Sequence, residues 1–145
     1  MTTWLLKTEP GEYSFDDLVR DGRTTWTGVS NPAAQQAMRA MTTGDEALIY
    51  HTGAEKRIAG LAAVVRGAYP DPEHPGLTAK GDPKRVLIDL SPLRPATKNA
   101  TLAEIKADAR FAGFALVTQS RLSAMEVPPA LAAALKKMAG LSRQI

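Results

Sequence analysis

Trp26 is the side chain best placed for recognition chemistry: it follows Thr24-Thr25, precedes Thr27-Gly28 and falls on no periodic apolar face. An indole presented from a connection is a stacking platform for a flat base, worth about 1–3 kcal/mol per base. Gly28 lets the backbone adopt positive φ or approach a ligand closely, so that main-chain groups of Val29 and Ser30 could read a base edge. Asn31 carries both donors and an acceptor. A structural alternative stands beside each of these readings. A tryptophan also anchors a connection onto a core, and an Asn also caps a helix through its carbonyl oxygen, leaving its amide hydrogens free.

Lys7 is the one charged residue inside the apolar run Trp4-Leu5-Leu6-Lys7-Thr8, and a charge there calls for a partner or a ligand. Strand alternation puts Lys7 and Glu9 on one face and Thr8 on the other, so the two charges are either an ion pair or two walls of a site. Tyr50 and His51 end a second apolar run, where alternation turns them apart and at most one faces a pocket squarely. His74 stands among prolines and carries no signal. Lys136 and Lys137 opposite Leu131 and Leu135 read as a solvated face above a packed one.

Nucleophilic and metal chemistry find little support. The sequence has no cysteine, which excludes disulfides, thiolate chemistry and cysteine zinc sites, and it has only two histidines. Neither a Gly-rich phosphate loop, nor His-Glu-x-x-His, nor Gly-x-Ser-x-Gly occurs. No cofactor or metal is expected. With 44% hydrophobic and 23% charged residues in 145, the composition is that of one folded domain. The N-terminus lacks a basic region followed by a long apolar core, and no apolar run approaches a membrane span, so a soluble cytoplasmic protein is expected. A net charge of +3 supports a polyanionic partner without establishing one.

The positioning elements follow from periodicity and caps. Residues 3–8 alternate as a strand ended by Pro10-Gly11. Ser14 with Asp17 forms a capping-box variant opening a short helix that stops at Asp21-Gly22. Asn31-Pro32 opens a second helix running through Met38 and Met41 to Gly44. Residues 46–51 and 57–66 read as a hairpin turning at Gly53. Residues 69–83, rich in Pro and Gly, read as a long loop before a strand over 85–90. Thr101 and Glu104 form a second capping box for a helix through Ile105 and Lys106, followed by a short piece around Phe111. Residues 120–127 read as the last strand and 129–138 as the last helix, stopped by Gly140. Strands interleaved with short helices predict an α+β fold: a small mixed β-barrel of five to six strands with short helices packed outside, as a single domain over 1–145.

Several runs, in order, carry a family resemblance. They are Trp4-Leu5-Leu6-Lys7-Thr8-Glu9-Pro10, Thr25-Trp26-Thr27-Gly28-Val29-Ser30-Asn31, Met41-Thr42-Thr43-Gly44-Asp45, Ile49-Tyr50-His51, Ala68-Tyr69-Pro70-Asp71 and Gln119-Ser120-Arg121-Leu122-Ser123. Together they resemble the EVE family, a PUA-like domain related to the YTH readers of methylated RNA, over nearly the whole chain. The resemblance implies a PUA-like barrel that binds nucleic acid, DNA or RNA, without catalysis and without a cofactor. A modified base would lie in an aromatic pocket floored by Trp26 and lined by Lys7, Glu9, Gly28, Val29, Ser30, Asn31 and one of Tyr50 or His51. Ser120, Arg121 and Ser123 fall in the closing motif, where Arg121 is either a phosphate contact or a surface charge. The family commonly has Arg where this chain has Ser30, which weakens the expected hold on a nucleic-acid backbone. Two alternatives remain. The related ASCH domains include amidohydrolases using Lys, Thr and Glu, which Lys7, Thr8 and Glu9 echo, although alternation separates Thr8 from its base. A protein or small-molecule interaction module is the other.

Overall fold

A computed structural model describes residues 1–142 of the chain. Six strands and five α-helices follow one another as β1 (Thr3–Thr8), α1 (Phe15–Asp21), β2 (Thr24–Trp26), α2 (Pro32–Arg39), β3 (Glu46–His51), β4 (Arg57–Pro70), β5 (Val86–Pro95), α3 (Leu102–Ala107), α4 (Ala115–Thr118), β6 (Ala124–Val127) and α5 (Pro129–Met138). The strands form one mixed sheet in the order β2-β5-β4-β3-β1-β6. Only β1 and β3 pair in parallel, joined by a crossover that contains α1, β2 and α2. The sheet ends at β2 and β6, and α2 packs against β6, β5 and β4, so a helix rather than a strand pair closes the barrel.

The alternation of β1 divides the core in two. Trp4 and Leu6 join Phe15, Leu18, Trp26, Met38 and Ile49 in a cluster under α1 and α2, whereas Leu5 joins Leu48, Tyr50, Ile105, Phe111 and Leu135 under α3, α4 and α5. The parallel register sets Lys7 beside Tyr50 and Thr8 beside His51, which carries the same division to the end of the strand. Phe15 seats directly on the sheet because residue 60 of β4 is glycine; a Cβ there would lie 2.4 Å from its ring.

Two of the three helix caps form as their sequences require; at the third, Thr101 accepts from the Glu104 amide but, among the described residues, the Glu104 carboxylate takes no bond from the Thr101 amide, so the expected capping box is half formed. Ser14 accepts from the Asp17 amide while the Asp17 carboxylate accepts from the Ser14 amide, and Gly22 ends α1 with φ of 72°. Asn31 caps α2 and Thr101 caps α3, each through its side-chain oxygen. Differences arise where short-range pattern competes with sheet pairing. Residues 24–26 form β2, paired with β5 through Trp26 opposite Ile88, although three residues are too few to show a period. β4 continues to Pro70 and β5 to Pro95, these two prolines standing at the ends of their strands, and the pairing is interrupted by register shifts between Leu61 and Ala62, Val64 and Arg66, and Arg66 and Tyr69. α2 ends at Arg39, before Met41, and residues 120–123 form a turn ahead of β6 instead of its first half.

Candidate functional site

The residues singled out by sequence divide between the two faces of the sheet. On the α1/α2 face Trp26 is 7% exposed, a strand residue of the core rather than a ring standing in a connection. Tyr13 meets it edge-on, with ring centroids 6.2 Å apart and planes at 82°. Tyr13 is fixed in turn: its carbonyl accepts from the Thr8 hydroxyl at 2.6 Å and its phenol donates to Asp21 at 2.8 Å. His51 is buried on the same face. Its Nε2 accepts from the Phe15 amide at 3.0 Å, so Nδ1 carries the proton and donates to Glu55 at 2.9 Å. With both nitrogens committed within the fold, His51 is structural and is not a pocket wall.

Loop 27–31 leaves the end of β2 and is pinned by Gln35. The Gln35 amide donates to the Val29 carbonyl at 2.7 Å, and its oxygen accepts from the Val86 amide at 2.8 Å. Val29 is therefore committed to the core side and its carbonyl does not face a ligand. Gly28 has φ of 79° with open space where a Cβ would stand, so backbone conformation rather than close approach selects it. Ser30 and Asn31 are exposed. The Asn31 oxygen accepts from the Ala34 amide at 3.0 Å, leaving its two amide hydrogens to point elsewhere. Asn31, Thr118, Gln119, Ser120, Arg121 and Leu122 line a groove of about 310 Å³. Leu122, which lines this groove, and Val29 both pack against the core cluster to which Trp26 belongs, whereas Trp26 itself does not line the groove.

On the opposite face, Lys7 and Tyr50 line a cleft of about 250 Å³ with Lys56, Leu102, Lys106, Leu116, Val117 and Ser120. The Lys7 ammonium donates to the Ser120 carbonyl at 3.0 Å and lies 5.9 Å from the centre of the Tyr50 ring. Burial holds that ammonium below the usual lysine range and pushes the Tyr50 phenol up. Glu9 does not pair with Lys7. Its carboxylate accepts from the Gly11 amide at 3.0 Å and from the Thr52 hydroxyl at 3.4 Å. Ser123 meets β1 through its carbonyl, which accepts the Lys7 amide at 2.9 Å, so Ser120 and Ser123 both hold β1 through main-chain oxygens.

Trp26 with the 28–31 loop thus belongs to one region and Lys7 with Tyr50 to another, meeting only at segment 118–123. Sequence reasoning missed Tyr13, Lys56 and Lys106. The Leu102 and Lys106 spacing of four on one helix face was a legible signal for the last of these. Lys56 gave none, since its role follows from φ of 45° at a non-glycine residue. Among the described residues no group of acidic or histidine side chains could hold a metal ion, and no helix is long and apolar enough to cross a membrane.

Comparison with known proteins places this geometry in a family. The EVE domain matches residues 2–138. Human thymocyte nuclear protein 1 is 33% identical over 123 residues, covering 71% of this chain and 55% of the relative. The chain spans about half the length of the curated relatives it matches. Among solved structures, a protein of Rhodopseudomonas palustris superposes with a TM-score of 0.87 and 39% identity over 99% of this chain and 97% of the other. Human THYN1, in a complex with DNA containing 5-methylcytosine, superposes with a TM-score of 0.83 and 26% identity over all of both chains. The six-stranded α+β barrel and the match over almost the whole length make this chain a member of the EVE domain family.

Proposed function

We propose that this chain is a non-catalytic nucleic-acid-binding domain that holds a modified base, with 5-methylcytosine in DNA as the first candidate. The observation that carries the reading is the human relative of the same fold in complex with DNA containing that base. The groove between loop 27–31 and segment 118–123 suits the task. Asn31 offers free amide donors to a base edge, Arg121 is exposed for a phosphate, and Leu122 joins the groove to the core cluster that contains Trp26. In this role Trp26 acts through the core cluster behind Leu122 and does not stand as an open platform. A base taken from a duplex must first be flipped out, at a cost of a few kcal/mol that single strands avoid.

The non-catalytic reading has a geometric basis. Thr8, the one hydroxyl comparable to an amidohydrolase nucleophile, donates to the Tyr13 carbonyl and lies on the face away from Lys7. Long incubation with acylated cytidines is expected to leave them intact, as read by chromatography. Release of the acyl group by the wild type, lost in Thr8→Ala, would make the chain a hydrolase.

The decisive experiment is a titration of labelled oligonucleotides, DNA and RNA, with and without 5-methylcytosine, using the wild type and Trp26→Phe. Preference for the methylated strand by the wild type, reduced in Trp26→Phe, is expected. Equal affinity for methylated and unmethylated strands in both polymers would sink the reading.

A further inference from the structure

The Lys7–Tyr50 cleft has a composition that base reading does not explain. Its lining combines three lysines, Lys7, Lys56 and Lys106, with a floor of Tyr50, Leu102, Leu116 and Val117, and includes no carboxylate. Among the described residues none of the three lysines lies within ion-pair distance of an acidic group. Glu9, the carboxylate that touches Gly53 at the rim, is held by Gly11 and Thr52. Lys7 uses one of its three hydrogens on the Ser120 carbonyl, leaving two for a ligand.

The lysines are brought here by the fold. Register with Tyr50 fixes Lys7 on this face. Lys106 lies one helical turn from Leu102 on α3, so both look into the same space. Lys56 is the one non-glycine residue with positive φ among the described residues, at 45°, and its carbonyl is held by the Leu102 amide at 2.8 Å. A lysine in the left-handed region costs about 1–2 kcal/mol, and such conformations persist where surrounding structure holds them, often at binding sites. Three like charges converging on a partly apolar cleft repel one another until an anion arrives.

We propose that this cleft is a phosphomonoester site, receiving a doubly charged terminal phosphate with its attached nucleoside against the Tyr50, Leu102 and Val117 floor. Three cations match a monoester, which carries nearly two negative charges and three strong acceptors, better than a singly charged diester. The phosphate has two possible sources. Ser120 lines both the cleft and the Asn31–Arg121 groove, so the end of a strand lying in the groove can reach it, and a free mononucleotide can enter alone. The proposal goes beyond base reading, and its mononucleotide arm is independent of it.

The test titrates the chain by calorimetry with deoxycytidine 5′-monophosphate, with deoxycytidine, and with short single-stranded DNA carrying either a 5′-phosphate or a 5′-hydroxyl. Lys56→Gln/Lys106→Gln serves as the variant, since both side chains are exposed and their loss leaves the core untouched. Phosphorylated ligands are expected to bind about tenfold more tightly than their unphosphorylated counterparts, the affinity equivalent of one charge-assisted hydrogen bond. The double variant is expected to erase the difference. An advantage for the mononucleotide identifies a free nucleotide as the ligand, and an advantage for the strand alone identifies its terminus. Either supports the site. Equal affinity of phosphorylated and unphosphorylated ligands, or an advantage that survives in the double variant, would overturn it. The ratio for methylated against unmethylated 5′-hydroxyl strands, read in the same titrations, reports failure of base reading separately.

Discussion

Lys7 and Thr8 are neighbours on β1, yet they open onto regions of opposite character. On the Thr8 side the polar groups near the strand end find partners within the fold: the Thr8 hydroxyl on the Tyr13 carbonyl, and His51 between the Phe15 amide and Glu55. On the Lys7 side an ammonium has a single carbonyl acceptor and shares its cleft with two further lysines. Saturated polar groups rigidify a core, whereas unsatisfied charges leave binding energy for a ligand. The same apolar run therefore ends in a structural face and a binding face, and residue type alone does not say which is which.

The largest effect expected from this contrast is on the saturated face. Trp26→Ala removes a ring that is 7% exposed and packed with Tyr13, Leu18 and Ile88, and a loss of about 3–5 kcal/mol in denaturant unfolding is expected. A midpoint unchanged from the wild type would show that the ring stands outside the core after all. Trp26→Phe, which keeps most of the apolar area, is the variant in which base preference can be read without unfolding.

A second effect on this face depends on pH. Burial alone would raise the Asp45 carboxyl, but donors from the Thr2 and Thr42 amides and the Trp4 indole outweigh it and hold it below the usual range. The unfolded chain therefore takes up the proton first as pH falls. The stabilisation is fully present above the ordinary carboxyl value of about 3.9 and disappears as pH drops through the lowered folded value. Asp45→Asn is expected to cost about 1–3 kcal/mol at neutral pH and to flatten the acid limb of a stability profile. An acid limb as steep as that of the wild type would place its origin in other carboxylates.

Most of the fold was legible because its signals are local. Ser14 with Asp17, Asn31 with Pro32, the alternation of residues 3–8 and the continuous apolar run within residues 46–51 each specify their element within a few positions. The site was legible only in part, because its assembly depends on register. The pairing of Lys7 with Tyr50 and of Thr8 with His51 decides which side chains share a face, and that pairing bridges more than forty residues. Trp26 misled for a related reason: a three-residue strand has no period to read, and its burial comes from β5 and Tyr13 rather than from its neighbours. Lys56 was silent because one positive φ at a lysine has no sequence signature.

A smaller effect is expected in the groove between the faces. Arg121 is exposed and lines the groove, so Arg121→Ala should leave unfolding within about 0.5 kcal/mol of the wild type. It should weaken oligonucleotide binding by about 1 kcal/mol and lower the salt slope by about one, as loss of a single phosphate contact does. With few cations available in the groove and cleft, the wild-type slope itself is expected to be shallow. A slope implying six or more phosphate contacts, measured from low to moderate salt, would move the interface to a different surface.

A change in stability as small as that of Arg121→Ala, with the sharpest separation of the two faces, is expected for Lys7→Met. The substitution loses one ammonium bond to the Ser120 carbonyl and a long contact with the Tyr50 ring, together about 1–2 kcal/mol. It also removes a half-buried charge that has no carboxylate partner, and methionine fills similar space against Tyr50 and Leu116. The opposing contributions nearly cancel, so unfolding within about 0.5 kcal/mol of the wild type is expected, while affinity for a phosphorylated ligand falls about tenfold. Chemical denaturation and calorimetric titration on one preparation decide it. A loss of stability comparable to that of Trp26→Ala, with ligand affinity unchanged, would make Lys7 a structural residue and the two ends of β1 alike.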